Sequence, residues 1–247
     1  MTSLSGKVVL VTGASRGIGY QAALEAARRG AHVIALARTV GGLEDLDDAV
    51  KTLGGEATLV PLDIRDGDGI DRLGAAIFER WGHLDGLIGN AAILGTLSPV
   101  AHVAPDEFDK VFALNLTANY RLLRSMDLLL RQAEAGRAVF VSSSLARSAK
   151  PFWGPYAASK AALEALVKSY AGEVSGGPIK VNVFYPGAVR TAMRAKAMPG
   201  ENPEILPTPD EVALELVKLC LPAWDTQGQV HKYSDAIRPH TDSSNPA

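Results

Sequence analysis

Along the chain, short and mainly apolar runs alternate with longer segments whose apolar residues recur every three or four positions. The runs fall at 7–12, 32–37, 57–62, 84–89, 138–142 and 179–185. Continuous runs of this length fit strands buried on both faces, as in a parallel sheet covered by helices. Between them the spacing predicts helices over 18–29, 41–53, 69–81, 106–134 and 209–221, with another beginning after Gly154-Pro155. Leu43, Leu46, Val50 and Leu53 share one side of their helix, and Phe108, Val111, Phe112, Leu116, Leu122 and Leu123 mark the core side of the long one. Gly30 stops the first helix. The proline-punctuated stretch 194–209 reads as an irregular flap, and the polar tail from Thr241 as a mobile end. No repeat or linker interrupts the alternation. The expectation is one α/β domain over 1–247, a Rossmann-type doubly wound parallel sheet.

Composition narrows the class. Of 247 residues, 47% are hydrophobic and 21% charged, a globular balance with ample length for a buried core. A net charge of −2 offers no basic field for nucleic acid or an anionic membrane. The one cysteine, Cys220, lies in an apolar helical context and leaves no intrachain disulfide to form. The five histidines are scattered without ligand-like spacing, so no metal is expected. The first strand begins at Lys7, leaving no room for a signal peptide, and no apolar run reaches membrane-spanning length. The expected location is cytoplasmic.

The chemistry begins at the first strand's end, with Gly13-Ala14-Ser15-Arg16-Gly17-Ile18-Gly19. Strand, glycine turn, helix and strand follow in order, the context in which glycines let backbone approach a pyrophosphate at a helix N-terminus. The spacing is Gly-x-x-x-Gly-x-Gly rather than Gly-x-Gly-x-x-Gly, and a turn needed only for tight packing is the competing reading. The second strand ends in Ala37-Arg38, with no carboxylate for a ribose 2′-hydroxyl. A guanidinium there, with Arg16 in the glycine turn, suits a 2′-phosphate, hence NADP rather than NAD. The alternative for Arg38 is a solvated charge at a loop start. Asp63, after the third strand, could accept from the adenine amine or cap the next helix. Asn90-Ala91-Ala92 closes the fourth strand. Asn115, mid-helix, could bend the helix, hold a water or sit on the surface.

The stretch 139–166 carries the reactive groups. Tyr156 and Lys160, four apart, share a helix face, and Ser143 follows a strand end that can aim its hydroxyl at the same point. A phenol, an ammonium and a hydroxyl converging there can move a proton on and off a carbonyl oxygen. A Pro186-Gly187 turn, then Val189 and Thr191, follows the sixth strand. Gly13, Arg38, Asp63, Asn90, Ser143 and Pro186 all fall at predicted strand ends, where such sheets bind ligands.

From about Leu4 to Leu221 the chain resembles a classical short-chain dehydrogenase/reductase. The matching motifs are Thr12-Gly13-x-x-x-Gly17-x-Gly19, Asn90-Ala91-Ala92, Asn115, Ser143, Tyr156-x-x-x-Lys160 and Asn182-x-x-x-Pro186-Gly187-x-Val189-x-Thr191. The resemblance implies an NADP-dependent oxidoreductase of ketones, aldehydes or 3-oxoacyl thioesters. Tyr156 would be the general acid. Lys160 would hold the nicotinamide ribose and lower the tyrosine pKa, Ser143 would polarise the carbonyl, and Asn115 would hold a relay water. Gly13, Ser15, Arg16, Gly17, Ile18, Gly19, Arg38, Asp63, Asn90, Ala91, Pro186, Gly187, Val189 and Thr191 would line the cofactor. Partners would be a small carbonyl or alcohol substrate and further copies of the chain, as a dimer or tetramer through the helices bearing Asn115 and Tyr156. Two departures stand out. Ala92 replaces a glycine, and Gly228-Gln229-Val230-His231-Lys232-Tyr233 replaces the usual Val-Asp-Gly-Gly, which puts the last strand in doubt. Leu94, Leu145, Phe152, Trp153, Met193 and Met198 could line an apolar substrate pocket. Competing readings are a catalytically silent NADPH-binding module and a nucleotide-sugar epimerase or dehydratase; intact Ser143, Tyr156, Lys160 and Asn115 argue against the first, and length and glycine spacing against the second.

Overall fold

The six apolar runs each become a strand, and a seventh forms beyond them. In the computed structural model, which describes residues 3–233, the strands are β1 (Val8–Thr12), β2 (His32–Ala37), β3 (Ala57–Pro61), β4 (Gly86–Gly89), β5 (Arg137–Val141), β6 (Lys180–Tyr185) and β7 (Val230–Lys232). The helices are α1 (Gly17–Arg28), α2 (Val40–Thr52), α3 (Gly67–Trp81), α4 (Pro105–Phe112), α5 (Ala118–Gln132), α6 (Gly154–Glu173), α7 (Ala192–Ala197) and α8 (Pro209–Lys218). All strand pairs are parallel, in the order β3-β2-β1-β4-β5-β6-β7. This is the doubly wound Rossmann-type sheet. The tail from Thr241 lies outside the described residues.

Two cores form because each strand points alternate side chains to opposite faces. Val9 and Val11 face one core with α1, α2 and α8, while Val8 and Leu10 face the other with α3, α5 and α6. Helix ends follow local chemistry. Gly30, with φ of 93°, turns the chain out of α1, and Gly82, with φ of 73°, closes α3. Asp66 caps α3 by accepting from Gly69 N at 3.0 Å. In a parallel sheet every strand ends at the same edge, so Gly13, Arg38, Asp63, Asn90, Ser143 and Pro186 gather there. The crevice opens between β1 and β4, where the strand order reverses.

Three expectations change. The long helix over 106–134 is interrupted by one π-helical turn, Ala113–Thr117, with Asn115 at its centre. A wide turn frees backbone groups, and buried Asn side chains can satisfy them where apolar residues cannot. The flap is less irregular than its prolines imply. Helix-forming Ala192–Ala197 makes α7, capped by Thr191, and a 3-10 turn follows at Pro203–Ile205. A bidentate pair from Arg194 to Glu201, at 2.5 and 2.6 Å, joins them. The last strand forms despite its departure from the family sequence. Asn182 on β6 anchors the approach to β7, donating to Thr226 O at 2.7 Å and accepting from Gln229 N at 3.1 Å. Gln227 adds a bond from Val181 N at 2.7 Å.

Candidate active site

The glycine turn is built by close approach. Gly13 and Gly17 have φ of 69° and 59°, values that side chains resist. A methyl on Gly19 would stand 2.3 Å from Gly13 O, so α1 packs directly on the turn. Ser15 is pressed likewise against α2, where a methyl on Gly42 would meet its carbonyl at 2.5 Å. Ile18 packs against the core behind the turn. No side chain caps α1 and no acid stands in its first turn, so its N-terminal N–H groups and dipole remain for an anion. Thr12 ties the crevice's two walls. Its hydroxyl accepts from Asn90 N and Ala91 N at 3.0 and 3.1 Å, while Asn90 Nδ2 donates to Thr12 O at 3.0 Å.

Beside the turn, Arg16 and Arg38 are exposed at the sheet edge. Asp63 does not stand free to meet an adenine. Arg65 takes its carboxylate with Nε and Nη2, at 3.0 and 2.6 Å, and Arg38 Nη1 lies 3.8 Å away. The capping alternative for Asp63 is excluded, since Asp66 caps α3. The Arg65 bond, against some burial, holds the Asp63 carboxyl below its usual range.

Across the crevice, Ser143 comes near enough to the Tyr156 phenol to lower its pKa. Ser143 is fixed by Leu145 N, which donates to its Oγ at 3.2 Å as a short turn begins. Burial pushes the Tyr156 phenol up to about 12 against the lowering by Ser143, so it is neutral at pH 7. Lys160 is fully buried, and burial pulls its ammonium down to about 8. Its Nζ donates to Val141 O at 2.8 Å and lies 5.9 Å from the centre of the Tyr156 ring.

Asn115 is buried, which excludes the surface reading. Its Oδ1 accepts from Ile93 N at 2.9 Å, and its Nδ2 donates to Ile93 O and Ser159 Oγ, both at 3.0 Å. Its carbonyl accepts from Asn119 Nδ2 at 2.9 Å. Both amide hydrogens are thus spent on protein, and second lone pairs on its oxygens are what remain for a water. Ser159 hands the connection on, donating to Tyr156 O at 2.8 Å.

Beyond β6, Gly187 turns with φ of 75°, Val189 is buried, and Thr191 caps α7 by accepting from Arg194 N at 3.2 Å. Tyr185 OH donates to Glu164 on α6, which also accepts from Arg147 at 2.6 Å and Lys168 at 2.5 Å. Burial would raise the Glu164 carboxyl, but these bonds outweigh it and hold it low. This one buried carboxylate binds the Ser143 segment, α6 and the Pro186 turn together. The apolar candidates scatter. Trp153 meets Tyr156 edge-on at 6.1 Å, Leu94 is buried, and Phe152 and Met198 are exposed. Met198 lines a cavity of about 360 Å³ under the flap with Thr191, Arg194, Glu201 and Leu206. Ser159 and Glu164 carry no signal in isolation. Their spacing does, at three residues after Tyr156 and four after Lys160.

Known proteins share this sequence pattern and fold. The family model for short chain dehydrogenases matches residues 7–202. The oxidoreductase YciK of Escherichia coli K12 is 36% identical over 212 residues, covering 85% of this chain and 84% of that protein. The trihydroxynaphthalene reductase PfmaI of Pestalotiopsis fici is 32% identical, covering 96% and 82%. The solved E. coli YciK superposes with a TM-score of 0.89 at 34% identity, covering 94% and 96%. A Shigella flexneri 2a protein solved with NADP gives 0.89 at 34%, covering 94% and 98%. By sequence, fold and the match over most of its length, this chain belongs to the short-chain dehydrogenase/reductase family.

Proposed function

We propose that the chain is an NADP(H)-dependent oxidoreductase interconverting a ketone or aldehyde and its alcohol, working as one domain. The observation that carries this is Tyr156 with buried Lys160 one turn along α6, beside the Ser143 strand end and at the same sheet edge as the glycine turn. The residues fit the cofactor. The uncapped N-terminus of α1, the glycine cradle and exposed Arg16 and Arg38 are the donor set a dinucleotide with a 2′-phosphate needs. A homologue solved with NADP supports the same choice.

The nicotinamide supplies a hydride. Ser143 holds the substrate oxygen against Tyr156, and the neutral phenol gives that oxygen its proton. Lys160, as ammonium, would hold the ribose of a bound cofactor and favour the phenolate that results. Asn115 and Ser159 fix the first turn of α6, and a water on Asn115 extends the proton path. Asn90 and Ala91 wall the crevice, while Pro186, Gly187, Val189 and Thr191 bound its nicotinamide end. Trp153, edge-on to Tyr156, favours an apolar substrate. Relatives named trihydroxynaphthalene reductases put an aromatic ring first on the panel, with 3-oxoacyl thioesters second. We further read the protein as a cytoplasmic dimer or tetramer.

The test is NADPH oxidation over ketones, aldehydes and 3-oxoacyl thioesters. One panel member should turn over, and Tyr156→Phe should lower its rate by about 10²–10⁴. NADPH binding with no turnover on any member would favour a silent binding module instead.

A further inference from the structure

Arg38, half-buried Asp63 and Arg65, at the ends of β2 and β3, form an asymmetric triad. Parallel pairing sets Ala37 beside Pro61, and Leu62 N donates to Ala37 O at 3.0 Å, so Arg38 and Asp63 leave the sheet side by side. A carboxylate there is a liability for a phosphate site. It repels the incoming dianion and competes for the arginine meant to receive it. The structure answers this with Arg65. Its backbone N donates to Asp63 Oδ1 at 2.9 Å, and its guanidinium takes both oxygens, with Nε at 3.0 Å from Oδ1 and Nη2 at 2.6 Å from Oδ2. Arg38 Nη1, at 3.8 Å from Oδ2, makes a long ion pair with the carboxylate but no hydrogen bond to it. Arg65 thus fills the fork that Arg38 would otherwise occupy.

We propose that Arg65 is a specificity-determining residue for the phosphorylated cofactor, taking the hydrogen bonds of Asp63 so that Arg38 is held only by a long ion pair and can turn to the 2′-phosphate. This rests on the NADP reading above. Without Arg65, the Asp63 carboxylate captures Arg38 and faces the phosphate unneutralised. The unphosphorylated cofactor, with no charge at that position, is spared both effects. Arg65 acts through Asp63, so removing Asp63 as well cancels the effect.

The experiment is titration of NADPH and NADH, by cofactor fluorescence, into the full-length protein and its Arg65→Gln, Asp63→Asn and doubly substituted forms. Arg65→Gln should weaken NADPH by about tenfold while changing NADH by less than about threefold. The double variant should return the NADPH/NADH affinity ratio to within about threefold of the starting protein. Asp63→Asn alone should leave that ratio unchanged or raise it. Equal losses for both cofactors in Arg65→Gln would overturn the proposal. So would a double variant whose ratio stays low, since Arg65 would then meet the phosphate itself. A starting protein that prefers NADH would overturn the NADP reading and this inference with it.

Discussion

At the scale of single residues, Tyr156 and Lys160 are set apart by their environment more than by their identity. Burial moves the two pKa values apart, the phenol up to about 12 and the ammonium down to about 8. The sign gives a prediction. Below pH 8 Lys160 is charged and able to hold a ribose hydroxyl as a cation; above it the charge is lost. The kcat/KM for NADPH, which reports groups of the free enzyme, should therefore fall as pH rises through about 8. Lys160→Arg, which keeps its charge to high pH, should remove that descent. A profile flat to pH 10 in the unsubstituted enzyme would show that Lys160 is not the titrating group. The four-residue spacing made this pair legible in the sequence. Asn115 was legible only as an anomaly, because a buried amide and a surface amide read alike until Ile93 and Ser159 are seen around it. Arg65 was not legible at all, since an Asp-x-Arg loop is common and its meaning lies in the distance to Arg38.

Elements were easier to read than their imperfections. The six strands and most helices follow from apolar period and length. The π-turn at Ala113–Thr117 does not, because one extra residue per turn barely disturbs the apolar spacing on either side. α7 was hidden by the prolines that bracket it. The turn before α1 is the most demanding element, and its glycines differ from ordinary helix glycines. Gly19→Ala would drive a methyl to 2.3 Å from Gly13 O, so the helix must shift off the turn. Calorimetry should show a loss of about 1–3 kcal/mol, with NADPH affinity falling at least about tenfold. Gly41→Ala is the matching control. A methyl there meets nothing within 4 Å, and α2 should gain about 0.5–1 kcal/mol. Equal effects of the two substitutions would mean that close packing does not define the turn.

For the whole molecule, the outer helices leave unfinished surfaces. α6 buries Leu163, Val167 and Ala171 on the sheet, while Ala158, Ala161 and Ala165 face outward. Leu128 and Tyr120 stand out on α5. Such faces suit helix packing against a second copy, and light scattering should give a native mass of two or four chains. A monomer at micromolar concentration would contradict that. The parallel sheet itself was legible from alternation alone, whereas β7 was not, because the side chains of Asn182 and Gln227 rather than any sequence period hold the approach to it. That strand has a further consequence. A parallel sheet has two open sides, and each could recruit a stray strand from a damaged or half-made neighbour. On one side β7 offers three residues among those described, and on the other β3 ends in Pro61, which has no N–H to share. The sheet is therefore a poor seed for aggregation during synthesis, when many partly folded copies are close together.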